Sequence, residues 1–189
     1  YRKNPLAADV KYWGHWVREK ARREIGRFYP PDSDGSLPVA YLWARTVTCK
    51  GCRATIPLLK TQWLCKKPGK RVLLTMEMNA EKTGVVFGIQ NDVPAQGGNA
   101  AQRREYDKKI GAGTMSRAGA QCPSCPVIMT MEDVRAEGKA GRLGEVMTAV
   151  VVDGISSKEF RLAEQREREC ASSATKRLEE LYTKVPFGL

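Results

Sequence analysis

The sequence predicts an α+β fold, a small antiparallel β-sheet flanked by an N-terminal and a C-terminal amphipathic helix. Three observations predict it. Apolar residues recur in steps of three and four near both ends of the chain. Runs rich in β-branched and aromatic residues, punctuated by Gly, Pro and charged turns, fill residues 37–90. Two Cys-x-x-Cys pairs, in "TVTCKGCRATIP" (46–57) and "QCPSCPVI" (121–128), lie in or beside expected strands. With 189 residues, 42% of them hydrophobic, the chain can bury a core as one domain or two small ones. Three parts are expected: a helix and connector over 1–36, a β domain over 37–155, and a helix over 156–189 packing on that domain.

The first helix is expected over 4–30. Leu6, Val10, Trp13, Val17, Ala21, Ile25 and Phe28 keep one face apolar, Asn4-Pro5 supplies a start, and Pro30-Pro31 a stop. "PPDSDGS" (30–36) is a turn-rich connector. Strands follow as "LPVAYLWARTVTC", "ATIPLLKTQWLC", "RVLLTMEM" and "GVVFGIQ". Residues 91–119 lack periodicity and contain Gly-Gly and basic clusters, which predicts a long mobile loop. "TMEDVRAEG" predicts a short helix capped by Thr130, "GEVMTAVVVDG" a buried strand, and "KEFRL" a strand pairing back on it. The last helix, over about 163–184, carries a stripe of Leu162, Ala171, Ala174, Leu178, Leu181 and Val185.

Two Cys-x-x-Cys pairs are the pattern of a zinc ribbon: Cys49, Cys52, Cys122 and Cys125 would fill a tetrahedral shell and leave no position for an activated water. Such a Zn2+ site is structural. The 69 residues between the pairs exceed what a simple ribbon uses. Closing that loop instead of one of about 15 residues costs only about 1.4 kcal/mol, against roughly 10–16 kcal/mol from a structural zinc. A thioredoxin-type redox pair would sit between strand and helix, and disulfides would need an oxidising compartment. Cys65 and Cys170 read as packing residues.

The net charge of +11 is uneven: residues 36–80 carry eight basic side chains and one acidic. A field of that sign favours nucleic acid or an acidic protein surface, and a solvated face is the plain alternative. No apolar run reaches the length of a membrane span. Six cysteines without a secretory signal suggest a reducing compartment, hence a cytoplasmic setting. The start at Tyr1 and the end at "VPFGL" suggest a piece of something longer. One histidine and no P-loop, nucleophile elbow or full dinucleotide fingerprint leave no catalytic set, although "GAGTMS" (111–116) supplies half of such a fingerprint. This chain by itself is expected not to be an enzyme.

Three stretches, "LAADVKYWGHWVREKARREIGRFYP", "AYLWARTVTCKGCRATIPLLKTQWLCKKPGK" and "AQCPSCPVIMTMEDVRAEGKAGRLGEVMTAVV", together resemble the zinc-ribbon-containing insert of a family of large adenine-specific DNA methylases. The resemblance covers roughly residues 6–152. It implies that Cys49, Cys52, Cys122 and Cys125 are the ribbon ligands. It also implies that the S-adenosylmethionine (SAM) motif and the Asp-Pro-Pro-Tyr motif belong to catalytic halves of a parent enzyme outside this chain, which would bind no SAM itself. Lys50-Gly51 stands where the family has a Pro-containing knuckle, and Pro126 where Gly is common. The function this implies is a DNA-binding auxiliary domain, with Arg45, Lys50, Arg53, Lys60, Lys66, Lys67, Lys70 and Arg71 on phosphates and Trp43 or Trp63 available to stack on a displaced base. The alternatives are a structural or docking insert resting on the catalytic halves, and an unrelated RNA-binding ribbon.

Overall fold

The computed structural model describes residues 4–154 and 157–184. Two compact units are present: one from the chain up to Pro38 together with the segment from Glu164 onward, the other from Val39–Ala163. The C-terminal helix, expected to pack on the β domain, groups with the N-terminal segment.

In the first unit, α1 (Pro5–Ile25) begins where Asn4 Oδ1 accepts the Ala7 N–H, with Pro5 at the first helical position, and runs into a 3-10 turn, Gly26–Phe28. Its apolar stripe is present, but no residue of α1 is buried, and Leu6 is 71% exposed. The final helix, α4 (Gln165–Lys184), packs on the 3-10 turn. Glu167 Oε2 accepts the Glu164 N–H at 2.8 Å, an N-terminal cap, and Arg166 reaches Asp32 at 3.4 Å. Val185, the last residue of the expected stripe, lies outside the described residues.

The second unit carries three sheets. β1 (Pro38–Thr48), β2 (Thr55–Pro57), β8 (Gly144–Asp153) and β9 (Lys158–Arg161) form one, in the order β2-β1-β8-β9. Thr148 Oγ1 donates to Leu42 O, and Arg45 meets Glu145, so β1 and β8 run in opposite directions. β3 (Trp63–Lys67), β4 (Lys70–Met78) and β5 (Val85–Gln90) form an antiparallel meander. β6 (Gly119–Gln121) and β7 (Ile128–Thr130) form a hairpin around the second cysteine pair, and α3 (Met131–Lys139) follows directly. Thr130 caps α3 as expected, in a capping box with Asp133.

Two expectations need correction. The single strand expected over 54–65 is two strands in different sheets. The Leu58 N–H still donates to Arg45 O at 2.7 Å, in register with the β1–β2 ladder, and the chain then crosses to β3 in the other sheet. The loop expected over 91–119 contains a helix, α2 (Ala100–Ile110), opened by a capping box between Asn99 and Gln102. Its sequence, AAQRREYDKKI, carries no apolar stripe to be read, and none of its residues is buried.

Candidate metal centre and basic groove

Each knuckle is closed by the same bond. The Cys49 N–H donates to Ala54 O at 2.8 Å, and the Cys122 N–H donates to Val127 O at 3.0 Å, five residues on in both cases. β1 leads into the first knuckle and β2 leaves it, whereas β6 and β7 bracket the second. Val47, Ile56, Ala120 and Met129 pack with Cys49 and Cys122 in one buried cluster, so burial of the strands carries the knuckles toward each other. Ile56 is fully buried, which contributes about 2–3 kcal/mol.

The four Sγ atoms of Cys49, Cys52, Cys122 and Cys125 lie within 4.8 Å of one another. Cys49 Sγ is 3.7 Å from Cys125 Sγ, and Cys52 Sγ is 3.6 Å from Cys122 Sγ. A tetrahedron with metal–sulfur bonds of 2.3 Å has sulfur–sulfur edges of about 3.8 Å. The spacing therefore suits a tetrahedral thiolate ion, and the four cysteines can hold a metal compatible with structural zinc. The short approaches run between knuckles, and neither pair opens a helix, as a dithiol redox motif would.

The amide of Ala54 holds the Cys52 thiol down at about 6, while burial pushes Cys122 up to about 12. Thiolates this close repel one another, and holding all four ionised calls for a cation among them. Further bonds tune the set: the Ser124 N–H points at Cys122 Sγ (3.4 Å), and the Lys50 N–H at Met129 Sδ (3.2 Å). Lys50 Nζ also meets Asp133 Oδ2 at 2.6 Å, tying the first knuckle to the cap of α3.

Gly51 and Pro126, one in each knuckle, have distinct geometric consequences. A Cβ on Gly51 would come within 2.8 Å of Val127 Cγ2, so the knuckles meet too closely there for a larger residue to enter without a shift. The left-handed backbone that favours glycine falls at Arg53, with φ 66°. Pro126, whose ring fixes φ near −65°, leaves the second knuckle to turn without it.

The eight basic residues singled out in the sequence are dispersed. Arg45 is paired with Glu145 and Lys50 with Asp133, while Lys70 donates to Ser157 Oγ at 2.7 Å. Arg53 sits in the knuckle, and Lys67 is exposed beside the β3–β4 turn. Arg71 is held inside the structure: its guanidinium grips Asp107, donates from Nε to Val93 O at 2.9 Å, and lies 4.7 Å from the centre of the Trp63 ring. Only Lys60 and Lys66 come together, lining an open groove of about 1320 Å³ between α2 on one side and residues 60–66 and 111–117 on the other.

In that groove they are joined by Arg104, Lys108, Lys109 and Arg117, which the sequence reading placed in a mobile loop. All six are exposed, and among the described residues none has a carboxylate in ion-pair contact. "GAGTMS" forms part of the wall and works there by packing. Thr114 Oγ1 donates to Pro57 O and accepts the Leu59 N–H at 3.1 Å, and the Thr61 hydroxyl donates to Gly111 O at 3.1 Å. A Cβ on Gly111 would fall 2.0 Å from Trp63 Nε1. The one sequence signal for this wall was Asn99-x-x-Gln102, a capping box announcing α2.

No helix among the described residues is long and apolar enough to cross a membrane. Fold and site together define a zinc-ribbon-like α+β protein with a four-cysteine centre. Comparison with protein-family models, with curated proteins and with solved structures returns no match to this chain.

Proposed function

We propose that this chain is a zinc-stabilised, non-catalytic module that binds DNA through the basic groove beside α2. The observation that carries the reading is the set of six exposed cations on that groove without carboxylate partners. Unneutralised cations around a concavity raise the local concentration of a polyanion and release its counterions on contact. Zinc in the four-cysteine shell would hold β1, β2, β6 and β7 together and leave no open coordination position for chemistry. In the setting the family resemblance implies, the module serves an adenine-specific DNA methylase whose SAM-binding and catalytic halves lie elsewhere. Helping that enzyme hold duplex DNA while a base is flipped is the role it would take.

The test is binding of the zinc-loaded chain to short duplex DNA at several salt concentrations. Affinity that falls steeply with salt supports the reading, and no binding at low salt removes it. A second reading, docking on a partner protein, is favoured by the uncovered stripe of α1, where Trp13 and Val17 are each 57% exposed. Self-association of the isolated chain, relieved by the parent's catalytic halves, would support that reading.

A further inference from the structure

We infer that the groove follows the phosphate backbone of a double helix without stacking on or reading bases; this rests on the nucleic-acid reading above. Proteins that hold single strands pair cations with open aromatic faces, on which unstacked bases lie. The aromatic side chain of this groove, Trp63, is already engaged. Its indole N–H donates to Asp107 O at 2.8 Å, the Arg71 guanidinium covers the ring at 4.7 Å, and Lys66 Nζ lies 5.9 Å from its centre. Of the groups able to read a base edge, the Thr61 and Asp107 side chains are engaged, and the exposed Glu105 of α2 also lines the groove. Thr61 Oγ1 donates to Gly111 O and accepts the Trp63 N–H at 3.2 Å, while the Asp107 carboxylate is held by Arg71. What remains open is six cations against one carboxylate: Arg104, Lys108 and Lys109 from α2 and Lys60, Lys66 and Arg117 opposite, with Glu105 on the α2 wall.

Flexible cations without base-reading partners bind charge density. Duplex DNA carries one charge per about 1.7 Å of axis and has a salt slope near −0.9 per phosphate contacted, against about −0.7 for single strands. Six cations set a ceiling of about −5 on the slope for duplex. Preference for duplex over single strand and indifference to sequence follow from the same geometry. Sequence would enter only through what lies outside the groove.

The experiment is a fluorescence-anisotropy titration of the zinc-loaded chain with duplexes of about 20 base pairs, long enough to exceed the groove. Mixed, A·T-only and G·C-rich duplexes are compared with single strands of the same length. The expected result is duplex affinities within about threefold of one another and single strands weaker by about tenfold. The double variant Lys108→Ala/Lys109→Ala is expected to lower the duplex salt slope by about 2, while Lys139→Ala, on α3 away from the groove, leaves it unchanged.

Single strands bound as tightly as duplex, or one duplex preferred by more than about tenfold, would overturn the backbone-track inference and leave nucleic-acid binding intact. Binding insensitive to Lys108→Ala/Lys109→Ala would move the contact off the groove and overturn it too. No binding to any probe would end both readings. Circular dichroism and zinc content of the double variant separate loss of contact from loss of fold.

Discussion

The guanidinium of Arg71 and the carboxylate of Asp107 form a two-pronged ion pair, Nη1 to Oδ2 at 3.3 Å and Nη2 to Oδ1 at 2.5 Å, across 36 residues of chain. Both side chains are mostly withdrawn from solvent, at 15% and 23% exposure. The pair fastens the surface helix α2 to the β3–β4–β5 meander, and it sets the predictions for the groove.

Arg71→Ala should free one end of α2 and leave the Asp107 carboxylate without its partner. The expected loss is about 2 kcal/mol in a chemical-denaturation experiment, the range for a charged hydrogen-bonded pair that is only partly buried. Groove binding should weaken with it although Arg71 itself is not free to touch phosphate. A variant as stable as the wild type would show that the pair does not anchor the helix.

The Arg71 guanidinium holds the Asp107 carboxyl below its ordinary value of 3.8. Because the folded value is depressed, its stabilisation is present above the unfolded value and is lost as pH falls through the folded one. The stability gap between wild type and Asp107→Asn should therefore be constant from neutral pH to just above 3.8 and close below it. Measuring the gap, not the wild type alone, cancels the proton-driven release of metal from the thiolates. A gap that closes between pH 6 and pH 5, well above any carboxylate value in this pair, would assign the effect to another group.

Zinc should bind in a single equivalent and release four titratable thiols when chelated. Removal should unfold the second unit, since apparent structural-zinc energies of about 10–16 kcal/mol are as large as the whole stability of a typical domain, about 5–15 kcal/mol. Cys122→Ser should abolish stoichiometric zinc, whereas Cys65→Ser and Cys170→Ser should keep it. Metal content by mass spectrometry decides the point.

Where the first knuckle meets the cap of α3, Thr130→Ala should cost about 1 kcal/mol as the loss of a helix cap, and Lys50→Ala less than that, because Lys50 is 51% exposed where it meets Asp133. Thermal unfolding of the zinc-loaded variants ranks the two. The reverse ranking would mean that the ion pair, and not the cap, fixes α3 against the knuckle.

Arg53→Gly should stabilise the zinc-loaded protein by about 0.5 kcal/mol, the relief of a left-handed backbone offset by the greater freedom of glycine when unfolded. Gly111→Ala should act in the opposite direction and more strongly, because its Cβ would meet Trp63 Nε1 at 2.0 Å in a packed wall. Equal effects from the two substitutions would contradict the packing assigned to Gly111.

The α+β class, the start of α1, the span of α3 and the grouping of Cys49, Cys52, Cys122 and Cys125 were legible because each rests on local chemistry: a capping side chain, a periodic apolar face, or two thiols at knuckle spacing. These interactions act between residues a few positions apart, and a sequence displays them directly. The sequence also marked the chain as basic, but it could not say which cations share a surface. That was decided by tertiary structure. Arg45 and Lys50 found carboxylates on distant elements, Arg71 turned inward to Asp107, and α2 formed from a stretch with no apolar pattern because its cap and its ion pair, not a buried face, hold it. Charge acts through space and not along the chain. Lys60 and Arg117 face one groove only because the cysteine centre and the bonds of Thr114 bring their segments side by side.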